Sequence, residues 1–307
     1  MPLLNEYSLV PDIFSTTSYS SEEAGRLCLQ YLKESLLDDG IIRDLRAGDW
    51  LESFKEARPW HSRGKELLKK VITQNRLRKF PAILADDPSD DLCWCKEALA
   101  SHAVQPITGV IAAESTKNHF SAEQLVGRID QLSSSAWWTS KSCSCIADRT
   151  FNAYKMQLEL ILSCSNSIMF IDPHLDPTKR GYSSFGDILR LIGTRTPSPL
   201  IEIHRVNYSG SGRNRVFLSN SYFEEAFKDH LSEPLREIKQ RANIYIWPEA
   251  HERFLITDLM GINIGIGFDT GGRHPKNLFN RLGRDVRDAI QRDYDPAYKR
   301  PVHRFQI

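Results

Sequence analysis

A histidine and an arginine two residues apart are the residues of this chain best suited to chemistry on a phosphate ester. His251 and Arg253 stand directly before the apolar run FLIT. In an extended segment both side chains project from one face, because side chains alternate along a strand. An imidazole can attack or protonate a phosphoester while a cation neutralises its oxygens. The pair predicts a phosphoester site, although Arg253 could instead form a structural ion pair with a neighbouring carboxylate.

A second polar group follows the apolar run SIMFI and begins at Asp172. Open α/β sheets bind ligands at strand ends, so these positions matter most. We expect Asp172, His174 and Asp269 to be substrate-binding residues: Asp172 and Asp269 hold hydrogen bonds at strand ends beside the site, and His174 orients His251. Arg205, near the end of the run LIEIHRV, is predicted to be a second phosphate contact.

Two patterns could hold a metal ion. The DxHxD segment at 172–176 offers three ligand types, but three ligands on one short loop fit metal geometry poorly. The CxC pairs Cys93/Cys95 and Cys143/Cys145 could together hold zinc, but the usual ligand spacing is longer. Free cysteine mostly behaves as a small buried apolar residue. We therefore predict neither a metal nor a cofactor.

Three segments in order, IDPHLD, HERFLITD and IGIGFD, resemble the phospholipase D superfamily. Residues 251–258 fit its HxKxxxxD motif with arginine in the lysine position, and the motif ends at Asp258. The family's GSxN segment appears here as GIGF at 265–268. The match is similar to the single-motif branch typified by the C-terminal domain of MIT-domain-containing proteins, and it covers about residues 140–270.

The resemblance implies a metal-independent mechanism shared between two copies of the motif. In active phospholipase D-like enzymes two HxK motifs meet across a two-fold interface, where one histidine forms a phosphohistidine and the other protonates the leaving group. This chain has one such motif, so the resemblance implies a homodimer with His251, Arg253 and Asp258 as catalytic residues. Arginine would clamp phosphate bidentately. The Ser and Asn of GSxN are missing, and the MIT-associated relatives bind acidic phospholipid without obvious catalysis.

Length and composition limit the class of protein. The chain has 307 residues with 40 Lys+Arg against 39 Asp+Glu, and 41% hydrophobic residues, which is typical of a folded globular protein. No apolar run approaches the roughly 20 residues that span a bilayer. The N-terminus lacks a basic segment followed by an apolar one, so we expect a cytoplasmic protein. The stretch 58–79 carries eight Lys/Arg and one Glu, which indicates either a phosphate-binding patch or a solvated helix face.

The elements predicted along the chain suggest three parts. Strands alternate with helices from about residue 136, which is typical of α/β layers. We predict an α/β fold with a phospholipase D-like mixed sheet flanked by helices at 136–275. We expect a mostly helical or α-β N-terminal domain at 1–135, and a basic C-terminal helix or tail at 276–307.

The function predicted from these observations is metal-independent phosphodiester hydrolysis by a homodimer. The basic segments favour nucleic acid as substrate, and such a nuclease resembles prokaryotic defence or mobile-element effectors. The alternative is a non-catalytic phosphate-recognition or scaffold module. That module would bind nucleic acid, anionic phospholipid at a membrane surface, or a partner protein through the N-terminal domain. An EDTA-resistant nuclease assay separates the two functions.

Overall fold

The computed structural model describes residues 2–210, 212–271 and 274–307, which fold as two compact units. The N-terminal unit comprises Leu4–Lys141, and the C-terminal unit comprises Ser142–Ile307 with residues 2–3. The sequence predicted a boundary after residue 135. The observed boundary lies further along because Trp137 and Trp138 pack against Tyr7 in the N-terminal core, at ring-centroid distances of 6.0 and 5.6 Å.

The strands of the described residues are β1 (Asn5–Leu9), β2 (Gly40–Asp44), β3 (Leu77–Lys79), β4 (Gly109–Ala112), β5 (Val126–Arg128), β6 (Ser144–Asp148), β7 (Ser167–Ile171), β8 (Leu200–Val206), β9 (Tyr208–Ser209), β10 (Val216–Phe217), β11 (Asn243–Trp247), β12 (Phe254–Thr257), β13 (Gly261–Ile264), β14 (Lys276–Arg281) and β15 (His303–Gln306).

The α-helices of the same residues are α1 (Glu22–Asp39), α2 (Asp49–Glu52), α3 (Ser62–Thr73), α4 (Asp91–Val104), α5 (Glu114–His119), α6 (Ala136–Thr139), α7 (Phe151–Cys164), α8 (Phe185–Arg190), α9 (Asn220–Glu237) and α10 (Arg284–Asp293). Side-chain caps begin several of the longer ones: Ser21 accepts from an amide of α1, Thr150 from one of α7 and Ser219 from one of α9.

The N-terminal unit contains a parallel sheet in the strand order β3-β2-β1-β4-β5. All residues of β1, β2 and β4 are buried. The unit is thus an α/β layer structure, which is the α-β alternative of the two that the sequence left open and not the mostly helical one. Polar residues in the central strands conceal the apolar pattern. Glu6 of β1 is buried because its carboxylate pairs at 2.9 Å with the buried Arg43 of β2 and with Arg78 of β3.

The C-terminal unit is built on a mixed sheet in the order β15-β11-β8-β7-β12-β13-β14-β6. Strands β7, β8 and β11 are parallel, whereas β12, β13, β14 and β6 continue as antiparallel neighbours. The aromatic rings of Phe170, Phe185 and Phe268 meet edge to face at centroid distances of 5.3 to 5.7 Å. This cluster joins β7, α8 and the segment after β13 into one core.

The C-terminal segment contains a helix as predicted, α10, but the strands on either side of it belong to this sheet and do not form a separate tail. β14 lies between β13 and β6, and β15 pairs antiparallel with β11 along the opposite edge. The register places Leu278 opposite Ile146 and Phe279 opposite Cys145. Phe279 is fully buried. The basic residues of the segment lie at exposed or half-buried positions, whereas alternate residues of β14, Asn277 and Phe279, are buried in the core of the C-terminal unit.

None of the helices in the described part of the chain is both long enough and apolar enough to span a membrane.

Candidate functional site

Three chain segments meet at one edge of the C-terminal sheet. β12 is antiparallel to β7, and its first residue pairs with the last residue of β7. Arg253, which precedes β12, and Asp172, which follows β7, therefore lie at the same edge. The segment 265–269 after β13 joins them, because the Phe268 amide donates to the Asp172 carboxylate at 3.1 Å. The parallel strands β7, β8 and β11 also end here, and the carboxyl ends of the strands are the usual ligand side of open α/β sheets. We call this end of the strands, with Asp172, His174, His251 and Arg253, the rim.

Asp172 is a fully buried carboxylate that ties the rim together. It accepts hydrogen bonds from the amides of His174 and Phe268 at 3.0 and 3.1 Å and from the Tyr182 hydroxyl at 3.1 Å. Burial raises the pKa of Asp172, while these bonds and the charge of Arg253 oppose the rise. Its bonding partners make Asp172 a positioning residue for the loops of the rim.

Only glycine fits at position 267, because the backbone there passes very close to the Asp172 carboxylate. The φ of Gly267 is +91°, and a Cβ there would lie 2.2 Å from Oδ2 of Asp172 and 3.2 Å from Cγ of Arg253. Any side chain would displace one of the two groups. The glycine therefore allows the Asp172 carboxylate and the Arg253 stem to pack on the same piece of backbone.

Arg253 has a guanidinium whose bonding capacity is mostly unused. Among the described residues, its solvent-shielded Nε has no hydrogen-bond partner. Its Nη1 donates to the backbone carbonyl of His251 at 3.3 Å. Neither Glu252 nor Asp258 forms the ion pair with Arg253 that a purely structural role would require. An unmet donor of this kind is costly unless an acceptor from outside the chain reaches it.

His174 is a half-buried imidazole in a positively charged environment. Burial lowers its pKa, and the charges of Arg253, Arg205 and Arg215 lower it further. Its backbone amide is fixed by Asp172. At neutral pH the ring is therefore uncharged, and one of its nitrogens can accept a proton or a hydrogen bond.

His251 lies on the loop between β11 and β12, and its side chain is 74% exposed. Its Nε2 lies 3.9 Å from Oε2 of Glu249. Glu249 in turn accepts from the Tyr208 hydroxyl at 3.0 Å and pairs closely with Arg215. The carboxylate is thus held in place from two sides, and it faces an imidazole that is free to reach a ligand.

Arg205 does not reach the rim as a phosphate contact. Its fully buried guanidinium donates to the backbone carbonyls of Val206, Leu175 and Tyr208 at 2.8 to 3.0 Å. It also lies over the Phe223 ring, 4.6 Å from its centroid. All these donors are occupied within the protein, so Arg205 holds the loops after β7 and β8 together and contributes charge at a distance.

The two remaining predicted residues have structural partners. Asp258 lies at the opposite end of β7, where Oδ1 accepts from the amides of Asn166 and Ser167 at 2.9 and 3.2 Å. It is therefore separated from Asp172 by the length of that strand. Asp269 lies beside the rim and pairs with Arg149 at 2.9 Å. Both carboxylates thus stabilise strand ends and loops through hydrogen bonds and an ion pair. Such a role was predicted for Asp269, whereas Asp258 was predicted to be catalytic.

Several residues of this region were not identified from the sequence. Tyr182, the last residue of the 3₁₀ helix Arg180–Tyr182, donates to Asp172 from ten residues further along, and no local sequence pattern indicates this contact. Arg215 and Glu249 meet from distant segments. The only available signal was the basic GRNR run before β10 and the glutamate two residues before His251.

No group of three or more His, Cys, Asp or Glu side chains that could hold a metal ion occurs among the described residues. The two CxC pairs fall in different units, Cys93 and Cys95 on α4 and Cys143 and Cys145 at β6. All these cysteines are free thiols, and Cys95 is fully buried.

Comparison with known proteins gives no family. No protein-family model and no curated protein sequence matches the chain. Among solved structures, the chain is similar to one described as "Structure of TrmBL2, an archaeal chromatin protein, shows a novel mode of DNA binding". The match has 8% identity, covers 78% of this chain and 81% of that one, and has a TM-score of 0.30. A likeness at this level assigns neither a fold family nor a function to the chain.

Proposed function

We propose that the C-terminal unit is a phospholipase D-like domain that hydrolyses phosphodiesters of nucleic acid without a metal ion. The observation that carries the proposal is the state of Arg253, a rim guanidinium with a shielded donor that lacks an acceptor. A phosphate oxygen would supply that acceptor in a charge-assisted hydrogen bond. Two imidazoles, His174 and His251, belong to the same rim.

The proposed reaction uses two imidazoles in sequence. The exposed His251 attacks phosphorus, a P–N bond forms, and the P–O bond to the leaving group breaks. The leaving oxygen takes a proton from a second, protonated imidazole. Water then attacks the phosphorus of the phosphohistidine and gives its proton to the second imidazole. A P–O bond forms and the P–N bond breaks, which releases the phosphate product and frees His251. Arg253 neutralises the phosphoryl oxygens throughout.

The second imidazole has two possible sources. In a homodimer it is His251 of the partner subunit, as the family resemblance implies. Within one chain it would be His174, but burial holds that ring neutral, which suits a base better than an acid. We therefore place the proton donor on the partner subunit and give His174 the role of orienting the phosphate.

A second candidate function is phosphate recognition without hydrolysis. The segment 265–268 reads Gly-Ile-Gly-Phe and offers a ligand only backbone groups, where the resembled enzymes have Ser and Asn. Such a module would use Arg253 to bind nucleic acid or anionic phospholipid. It would have no need of His251.

The test is cleavage of labelled single- and double-stranded DNA and RNA by the full chain, with and without EDTA. Wild type should cleave in both conditions. His251→Ala should abolish cleavage. Arg253→Ala should abolish cleavage and remove the binding that the rim contributes, whereas Arg253→Lys should retain part of each. His230→Ala and Arg236→Ala are matched controls, because both residues are exposed on α9. They should leave activity unchanged.

A protein adduct would identify the nucleophile. Single-turnover reactions quenched during cleavage should contain an acid-labile, base-stable phosphoryl adduct on the peptide that holds His251. Binding that survives His251→Ala, together with no cleavage by wild type, would favour the recognition module. Cleavage that requires added zinc or magnesium would contradict the proposed chemistry.

A further inference from the structure

Folding gives partners to half of the eight Lys/Arg of the basic stretch 58–79 in the N-terminal unit. The members with partners are Arg58, paired with Asp91; Arg63, paired with Glu66; Arg78, paired with Glu6; and Arg76, which donates to the backbone carbonyls of Leu36 and Gly40. Lys65, Lys69 and Lys70 of α3 are exposed and, among the described residues, have no side-chain hydrogen bond or ion pair. Lys79 on β3 is likewise exposed and, within the described part of the chain, has no side-chain hydrogen bond or ion pair, although its charge acts on Asp44. Three of the four lysines without a partner therefore lie on one helix.

Two of these lysines line an open cleft of about 490 Å³. Lys65 and Lys69 are four residues apart and share one face of α3 with Leu68 and Ile72. Lys70, the next residue along, does not line the cleft. The segment at 51–55 also lines the cleft, and its Glu52 carboxylate is paired with Lys55. The charged groups of the lining that have no partner among the described residues are thus the two lysines of α3, and the volume of the cleft falls in the range of small-ligand sites.

The rest of the lining is aromatic. The rings of Phe54 and Trp60 are half-buried, with centroids 5.0 Å apart, and the fully buried Phe14 packs edge-on against Phe54 at 4.9 Å. The Trp60 indole is fixed by a hydrogen bond from Nε1 to the carbonyl of Glu56 at 3.1 Å. A rigid, half-exposed aromatic surface beside unpaired cations is the combination that holds single-stranded nucleic acid.

We propose that this aromatic–lysine cleft binds single-stranded nucleic acid, with one base stacked on Trp60 and Phe54 and the adjoining phosphates at Lys65 and Lys69. The cleft is open, so a polymer can enter and leave it. An acyl chain would need an enclosed apolar cavity that buries most of its surface. The proposal rests on the N-terminal unit alone and is independent of the chemistry proposed for the rim.

Fluorescence anisotropy with a labelled oligo(dT) of about 12 nucleotides tests the site in the full chain. Binding is measured in wild type and in Arg253→Ala, so that the rim contributes to only one series. Trp60→Ala should weaken binding by about 5- to 150-fold, the loss expected for one stacked base. Trp60→Phe, which keeps an aromatic ring in place, should retain most of the affinity and guards against misfolding.

Salt dependence tests the lysines. Replacing Lys65 and Lys69 together by Gln should reduce the slope of log K against log [salt] by about 1.4, or ~0.7 for each phosphate contact to a single strand. Lys70→Gln is the matched control and should leave the slope nearly unchanged. The duplex of the same length should bind more weakly, because its bases are already stacked.

Three results would overturn the proposal. The first is equal effects of Lys69→Gln and Lys70→Gln, which would indicate general charge attraction. The second is competition by free dTMP at the affinity of the oligonucleotide, which would indicate a nucleotide pocket. The third is preferential binding of laurate that is lost in Trp60→Ala, which would indicate an acyl site.

Discussion

Replacing Gly267 with alanine would place a methyl group where the Asp172 carboxylate now lies. The added Cβ would be 2.2 Å from Oδ2 of Asp172, closer than any nonbonded contact allows, and the residue would keep a φ of +91°. The backbone conformation costs a residue other than glycine ~1–2 kcal/mol. Overpacking costs ~1–3 kcal/mol more. We therefore expect Gly267→Ala to lower the local free energy of unfolding by about 2–5 kcal/mol.

Gly193→Ala is the matched control for this change. Gly193 also has a positive φ, +71°, but a Cβ there would meet no atom within 4 Å. Its replacement should carry only the backbone cost of ~1–2 kcal/mol. The difference between the two variants, about 1–3 kcal/mol, then measures the close packing of Gly267 on Asp172.

The assay must report on the rim, because a chain of two units need not unfold in one step. Native-state hydrogen exchange measured by mass spectrometry gives a local opening free energy for peptides from β7 and the loop 172–176. Peptides from β2 in the N-terminal unit serve as an internal reference and should not change. Equal losses in Gly267→Ala and Gly193→Ala would refute the account of the rim, since they would show that the Asp172 carboxylate can move at no cost.

Three further changes test other parts of the structure. Burial raises the pKa of Asp12 from 3.8 to about 6, so the N-terminal unit should lose up to about 3 kcal/mol of unfolding free energy as pH rises through that interval. Asp12→Asn should remove most of this pH dependence, as measured by urea titrations followed by tryptophan fluorescence. An unchanged slope of unfolding free energy against pH would show that Asp12 is not its cause. Burial lowers the pKa of His204, whose Nδ1 accepts from Trp247, so its stabilising contribution should be present above pH 6.5 and lost as pH falls through the lowered pKa. His204→Asn should reduce that acid sensitivity in exchange measurements on β8 corrected for intrinsic pH effects; equal sensitivity would contradict the assignment. Arg205→Met should lower the opening free energy of β8 by ~3 kcal/mol or more, because it leaves buried carbonyls unpaired. The exposed Arg236→Met should lower it by under ~0.5 kcal/mol, and similar decreases in the two variants, measured by hydrogen exchange of β8 peptides, would contradict the structural role of Arg205.

The meeting of Asp172 and Arg253 at one edge could be predicted from the sequence, because it depends on local rules. An apolar run ending in a polar residue predicts a strand end, and strand ends of an α/β sheet share an edge. The segment that contains Gly267 follows the end of a third strand, so the same rule predicts that it lies at this end of the sheet. What the sequence could not supply was the partner of each group. One carbonyl that occupies Arg205 belongs to Leu175, thirty residues earlier in the chain, and Asp258 accepts from the amides at the start of β7, more than ninety residues earlier.

The N-terminal unit shows the same limit more strongly. Its central strands contain buried polar residues whose partners are far away in the chain, such as Glu6 with Arg43 and Arg78. Local periodicity therefore underestimates the sheet. For the basic stretch 58–79 the sequence errs in the other direction and overestimates the free positive charge. A count of charges along the chain cannot show which of them carboxylates will neutralise in the folded protein. Only the folded chain separates Lys65 and Lys69 from the rest.

The number of His251 imidazoles in each proposed active site can be counted by mixing subunits. If one site needs His251 from both members of a homodimer, activity follows the square of the wild-type fraction. An equal mixture of wild type and His251→Ala, allowed to exchange, should then retain about a quarter of the activity. If His174 of the same chain supplies the second imidazole, each wild-type subunit works alone and about half of the activity remains. His174→Gln should abolish cleavage in that second case, and only change the affinity for substrate in the first. Size-exclusion measurements at the assay concentration complete the test: a strictly monomeric chain that cleaves nucleic acid would rule out the shared site.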